Sequence, residues 1–151
     1  VADQTLKARI DSALKEALLS RNELKATVLR GLKAAILNEE VAQGARETGL
    51  ADDAIQSILV KEAKKRQESA DMFTQGNAPD KAAKELEEKA MIETFLPAKM
   101  SDDELSALVD QTVADNPDAQ MGQVIGLIKQ AAGASADGAK IAQLVKAALQ
   151  S

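Results

Sequence analysis

Apolar residues recur at helical spacing along almost the whole chain, yet only two of its 151 residues, Phe73 and Phe95, carry an aromatic ring. Residues at i, i+3, i+4 and i+7 share one face of a helix, whereas a half-buried strand needs strict alternation. Leu6, Ile10, Ala13, Leu14, Ala17 and Leu18 make such a stripe and predict a first helix over Asp3–Ser20. Leu24, Val28, Leu32, Ala35 and Ile36 carry a second, which reaches Gln43. Ile55, Leu59, Ala63, Ala70 and Phe73 mark the inward face of a third, over Asp52–Gln75, with Gly76 as its stop. Pro79 suits the first turn of a fourth helix, which ends near Phe95 before Leu96-Pro97. Between the stripes stand mainly alanine, lysine, glutamate and glutamine, which lose little on entering a helix. The fold class is all-α.

A new unit opens at "MSDDEL", residues 100–105. Ser101 as N-cap and Glu104 three places on form a capping box, and Met100 is placed to staple against Leu105. Three helices follow, predicted over Asp102–Asp115, Pro117–Ala132 and Gly138–Gln150. The chain therefore reads as a four-helix N-terminal part, residues 1–96, and a small three-helix C-terminal domain, residues 97–151, with a short hinge at Leu96–Met100.

Chemistry is constrained by what is missing. There is no cysteine, so no disulfide and no thiolate, and no histidine, the commonest general base and metal ligand near neutral pH. Tyrosine is absent too, so a catalyst here would work with Ser, Thr, Lys, Asp or Glu alone. No cofactor and no metal are expected. No apolar run reaches the roughly 18 residues of a membrane span, and no signal-peptide pattern opens the sequence. The expectation is a soluble, cytoplasmic protein without membrane contact.

The net charge of −5 disfavours long-range attraction to nucleic acid, and DNA is not an expected partner. Charge is uneven, however: Ala119–Ser151 holds Lys129, Lys140 and Lys146 against Asp137 alone. "GASADGAKIAQLVKAAL", residues 133–149, has the look of a phosphate grip but is not a P-loop. Its lysine comes one place late, no Ser or Thr follows, and a helix instead of a strand precedes it. Asp137 is a good N-cap for a helix beginning at Gly138, so its carboxylate fills the position an anion would take. Gly122 and Gly126 fall inside a helix, where each costs about 1 kcal/mol relative to alanine. Close packing against a neighbouring helix is the favoured explanation; close approach of a sugar–phosphate backbone is the alternative.

In the N-terminal part, "KEAKKRQES", residues 61–69, places Arg66 on the inward face of the third helix. An antiparallel pairing centred on Asn77 sets Arg66 opposite Glu88 and Ser69 opposite Glu85. A network of Arg66 with Glu85 and Glu88 fixing helix register is the favoured role, since an inward guanidinium needs a carboxylate. Lys61, Lys64 and Lys65 read as a solvated face.

Together, "VLRGLKAAILNEE" (28–40), "KEAKKRQES" (61–69), "ELEEKAMIETFLP" (85–97), "MGQVIG" (121–126) and "ADGAKIAQLVKAAL" (136–149) resemble the YqeY family. The resemblance implies a C-terminal module similar to the tail of the B subunit of aspartyl/glutamyl-tRNA amidotransferase, a helical tail that contacts tRNA. Gly122, Gly126, Asp137, Gly138, Lys140, Val145 and Lys146 match that module. Arg30, Lys33, Asn38, Lys61, Arg66, Ser69, Glu85, Glu88 and Pro97 match the N-terminal part of the free-standing family. Two positions depart from the pattern: Ala51 replaces a capping Thr or Ser, which should leave the third helix frayed, and Lys89 replaces an aliphatic residue. The resemblance implies a tRNA-associated accessory protein binding through Gly122, Gly126, Lys129, Gly138, Lys140 and Lys146. The alternatives are a component of a glutamine-dependent tRNA amidotransferase, a carbon–nitrogen ligase with glutamine as amido-N-donor, or a protein–protein adaptor. The ligase chemistry lies on other domains of the multi-domain enzyme, so amidotransferase or other protein partners would have to supply it.

Overall fold

The stripes of aliphatic residues set where every helix forms. A computed structural model describes residues 5–150, which fold into seven α-helices with no strand among them. These are α1 (Leu6–Leu19), α2 (Glu23–Ala42), α3 (Asp52–Gln75), α4 (Pro79–Glu93), α5 (Asp102–Asp115), α6 (Met121–Ala132) and α7 (Gly138–Gln150). A short 3-10 turn, Gly133–Ser135, follows α6. By internal contacts the chain divides into two compact units, Val1–Leu96 and Pro97–Ser151.

In the first unit, Leu6, Ile10, Ala17, Leu29, Leu32, Ile36, Ile55, Leu59 and Ile92 are among the buried residues of one aliphatic core. The long hairpin of α3 and α4 makes its most extensive helix pair. Leu18, expected inward, is 49% exposed, because Ala17 takes the core position and the stripe drifts away at the end of the helix. The predicted start at Asp3 lies outside the described residues; Thr5 caps α1 by accepting from the Ala8 amide at 3.2 Å. The α3 stop is shared by two residues. Gly76 keeps a negative φ, and the left-handed position passes to Asn77, with φ 58°, a conformation Asn tolerates.

Ala51 gives α3 no side-chain cap. Its first turn is nevertheless tied down, because Asp52 Oδ1 accepts the Leu6 amide of α1 at 3.1 Å. A second tie between α1 and the rest of the unit is electrostatic. Glu40, at 2% exposure the buried charged residue of the described chain, accepts from Lys7 Nζ at 3.1 and 3.4 Å. Lys7 itself is half exposed, its stem along the protein and its ammonium over the carboxylate.

The second unit packs Leu105, Val109, Val124, Ile128, Ile141 and Val145 into a separate core, with Met100 and Leu144 at its edge. Ser101 Oγ accepts the Glu104 amide and donates to the Glu104 carboxylate, both at 3.1 Å, a variant of the expected capping box. Helix α6 begins at Met121, four residues later than Pro117 suggests. Pro117 instead sits inside a turn closed by the Ala119 amide on the Asn116 carbonyl, where a fixed φ serves equally well. Gln123 Oε1 accepts the Gln120 amide at 3.1 Å and defines the true helix start.

Two outcomes follow for stability. The fragment Pro97–Ser151, expressed alone, will show helical circular dichroism and a cooperative thermal transition; a broad, non-cooperative melt would refute an autonomous unit. Lys7→Met will destabilise the full chain by about 3 kcal/mol by stranding buried Glu40, and Lys7→Met with Glu40→Leu will recover most of that. Urea midpoints of the two variants and the wild type check the pair.

Candidate nucleic-acid interface

The amphipathic pattern of α6 dictates which residues it presents outward. Val124, Ile128 and Ala132 are buried, so Gly122, Gly126 and Lys129, which lie close together on the helical wheel, fall away from the core. Both glycines are exposed, and a Cβ built on either would meet nothing within 4 Å. Close helix packing therefore does not account for them. They leave a bare strip of backbone along the outer face of α6.

Lys129 closes one end of that strip. Its stem runs against the start of α7, where a Cβ on Gly138 would stand 3.3 Å from Lys129 Cε. Gly138 thus gives the lysine room to lie over the helix start. One amide of that start is engaged: that of Ala139 donates to Asp137 Oδ1 at 3.0 Å. The carboxylate occupies the anion position, as an N-cap does.

The other two lysines lie on α7. Lys140 forms an ion pair with Asp102 at the start of α5, and so bridges two helices of the unit. Lys146 is exposed, roughly 120° around α7 from Lys140. Lys140 and Lys146 therefore do not share one face of α7. Gly122, Gly126 and Lys129 share one face of α6, and Lys129 reaches Gly138; Lys140 is paired with Asp102, and Lys146 lies on a different side of α7 from Lys140.

What the sequence reading missed is uncharged. Beside the glycine strip, Asn116, Ala119, Gln123, Gly126, Leu127 and Gln130 line a shallow depression of about 380 Å³. Three of the six are carboxamides, scattered over fifteen positions with no motif to announce them.

In the first unit, Arg66 is 22% exposed and bridges two helices. Its Nη1 lies 3.1 Å from Glu62 on its own helix and its Nε lies 3.5 Å from Glu88 on α4. The second carboxylate is thus Glu62 and not Glu85, because an i, i+4 partner on the same helix is already within reach. Ser69 and Glu85 are both half-buried on the facing helices. Lys89, the departure from the family pattern, donates to Gln67 Oε1 across the same hairpin at 2.8 Å. Phe73 lies under Lys81, its ring centroid 5.8 Å from the ammonium. Of the other matched positions, Arg30, Asn38 and Lys61 are exposed, and Lys33 pairs with Asp11 at 2.9 Å.

A family model for Yqey-like proteins matches residues 7–149. The chain belongs to that family. Among curated proteins it is similar to "Altered inheritance of mitochondria protein 41, mitochondrial" of Eremothecium gossypii, at 32% identity over 105 residues, 68% of this chain and 56% of the relative. The protein of the same name from Vanderwaltozyma polyspora is 31% identical over 83 residues, 55% of this chain and 44% of its own length. That of Kluyveromyces lactis is 28% identical over 127 residues, 80% of this chain and 68% of its own. The chain thus spans about half the length of the first two. Their names speak of mitochondria, not of the cytoplasm expected from composition, and mention neither tRNA nor amide transfer. Among the described residues no helix is long and apolar enough to cross a membrane.

The Arg66 bridge generates its own outcome. Arg66→Ala will lower stability by about 2 kcal/mol, between the cost of breaking an exposed pair and that of breaking a buried one. Arg66→Met with Glu88→Leu will restore most of it, because Glu62 keeps Lys65 at 3.2 Å. Thermal melts of the three proteins decide it, and an unchanged midpoint in Arg66→Ala would show the bridge to be idle.

Proposed function

We propose that this Yqey-like chain is a tRNA-associated accessory protein that binds through the outer face of α6 and supplies no catalytic centre. The observation that carries the reading is the pair Gly122 and Gly126, in the first turn and the interior of α6: glycines on an open surface, with no neighbour that their missing side chains accommodate. Gly126, in the helix interior, weakens α6 by about 1 kcal/mol relative to alanine. Within the fold that cost has no return. A partner's backbone pressed against the strip gives it one. RNA is favoured because Lys129 stands at the end of the strip, Lys146 is exposed on the next helix, and the matched family positions resemble a tail that contacts tRNA. The lack of His, Cys and Tyr supports a binding role over a catalytic one.

Because Lys140 is held by Asp102, two lysines remain for phosphate, and the logarithm of affinity will fall with the logarithm of salt with a slope of about −2. Gly126→Ala separates function from folding. It will stabilise the chain by up to about 1 kcal/mol while weakening binding of unmodified tRNA. Lys129→Glu and Lys146→Glu will weaken binding without loss of fold, and Lys140→Glu will act mainly on stability. Fluorescence anisotropy at low and moderate salt measures all four. Absence of tRNA binding at low salt, or full affinity in Gly126→Ala, sinks the RNA reading in favour of a protein partner.

A further inference from the structure

The depression beside the glycine strip has no charged residue in its lining: Asn116, Ala119, Gln123, Gly126, Leu127 and Gln130. A phosphate placed there would meet no cation. A neutral planar group meets a defined set of donors and acceptors. Asn116 Nδ2 donates to the Thr112 carbonyl at 2.9 Å, which fixes the amide and leaves its Oδ1 as acceptor. Gln123 Oε1 accepts the Gln120 amide at 3.1 Å, which fixes that side chain and leaves its Nε2 as donor. Gln130 is exposed and contributes both. Between them lie Ala119, the bare backbone at Gly126 and Leu127, 41% exposed, as an apolar surface.

We propose that this depression is a subsite for one unpaired nucleobase, held edge-on by the carboxamides of Asn116, Gln123 and Gln130 and covered on one side by Leu127. The acceptor left on Asn116 and the donor left on Gln123 can each take one bond from the edge of a base, and the exposed Gln130 carboxamide is the side chain able to pair such an edge two bonds at a time. The apolar flank suits the base's face. Lys129 lies about one helical turn from Gly126 on the same helix, within reach of that nucleotide's phosphate. The subsite therefore selects RNA with unstacked bases, such as a loop, over a regular duplex, whose base edges are turned inward. This inference rests on the RNA reading above and refines it.

The test uses the full chain and three probes of equal length and charge: oligouridine, oligoadenosine and an abasic ribose–phosphate oligomer. Anisotropy will show the better homopolymer binding about tenfold tighter than the abasic chain, the equivalent of one bidentate contact, with the same salt slope for both. Gln130→Ala will bring that homopolymer down to the abasic level and leave the slope unchanged. Asn116→Ala, which also releases Thr112, will do the same and serves as a second variant. Equal affinity for base-bearing and abasic oligomers, or Gln130→Ala binding like the wild type, overturns the base subsite while the RNA reading stands. No binding of any of the three at low salt overturns both.

Discussion

The near-absence of aromatic side chains, with Phe95 the one ring in the buried core, governs how this chain can be stable. Burying a Leu or Ile yields about 1.5–3 kcal/mol, and without large rings each helix must add many such residues along one stripe. The first unit does so with four helices around a single aliphatic core. The second has six buried aliphatic residues on three short helices, near the lower limit of what holds a fold alone. Polar ties then matter in proportion. The caps at Ser101 and Asp137, the bond from the Met100 amide to the Ser135 carbonyl at 2.8 Å, and the Lys140–Asp102 pair join segments that the small core cannot hold rigidly. Lys140 is thereby paired with Asp102 of another helix.

The helices were legible because their signal is periodic and redundant. Ile55, Leu59, Ala63 and Ala70 repeat the same statement four times, and all four are buried. Misplaced features rested on single residues with two permitted uses. Pro117 fits a first helical turn and also a β-turn, and the competing start at Gln120–Gln123 decides for the turn. Gly76 fits a left-handed stop, but neighbouring Asn77 takes it. Glu40 left no trace, because a glutamate in "NEEVA" reads as solvated helix. Only the approach of Lys7 from a helix thirty-three residues away makes its burial tolerable.

The candidate site was half legible for a related reason. Glycine and lysine stand out in a sequence, so Gly122, Gly126 and Lys129 could be singled out, although the packing role favoured for the glycines gives way to open space. Asn116, Gln123 and Gln130 are ordinary surface residues one at a time. Their meaning comes from the turn that ends α5 and the capping bond that begins α6, which together set three carboxamides around Gly126. Sequence similarity over residues 7–149 recovers the family and not this arrangement.

Charge and shape then point to a particular style of binding. A chain of net charge −5 repels a polyanion at a distance, and two available lysines repay little of that at contact. On the proposed reading, affinity must come at short range, from a backbone lying against bare glycine and a base edge meeting fixed amides. Such contacts fall off within a few ångströms, so they discriminate shape well and capture free RNA from solution poorly. The interaction gains most where the RNA is already held nearby, since a tethered encounter replaces the missing long-range attraction with high effective concentration. On that reading, a weak, shape-selective face of this kind would work as an accessory to another RNA-binding surface.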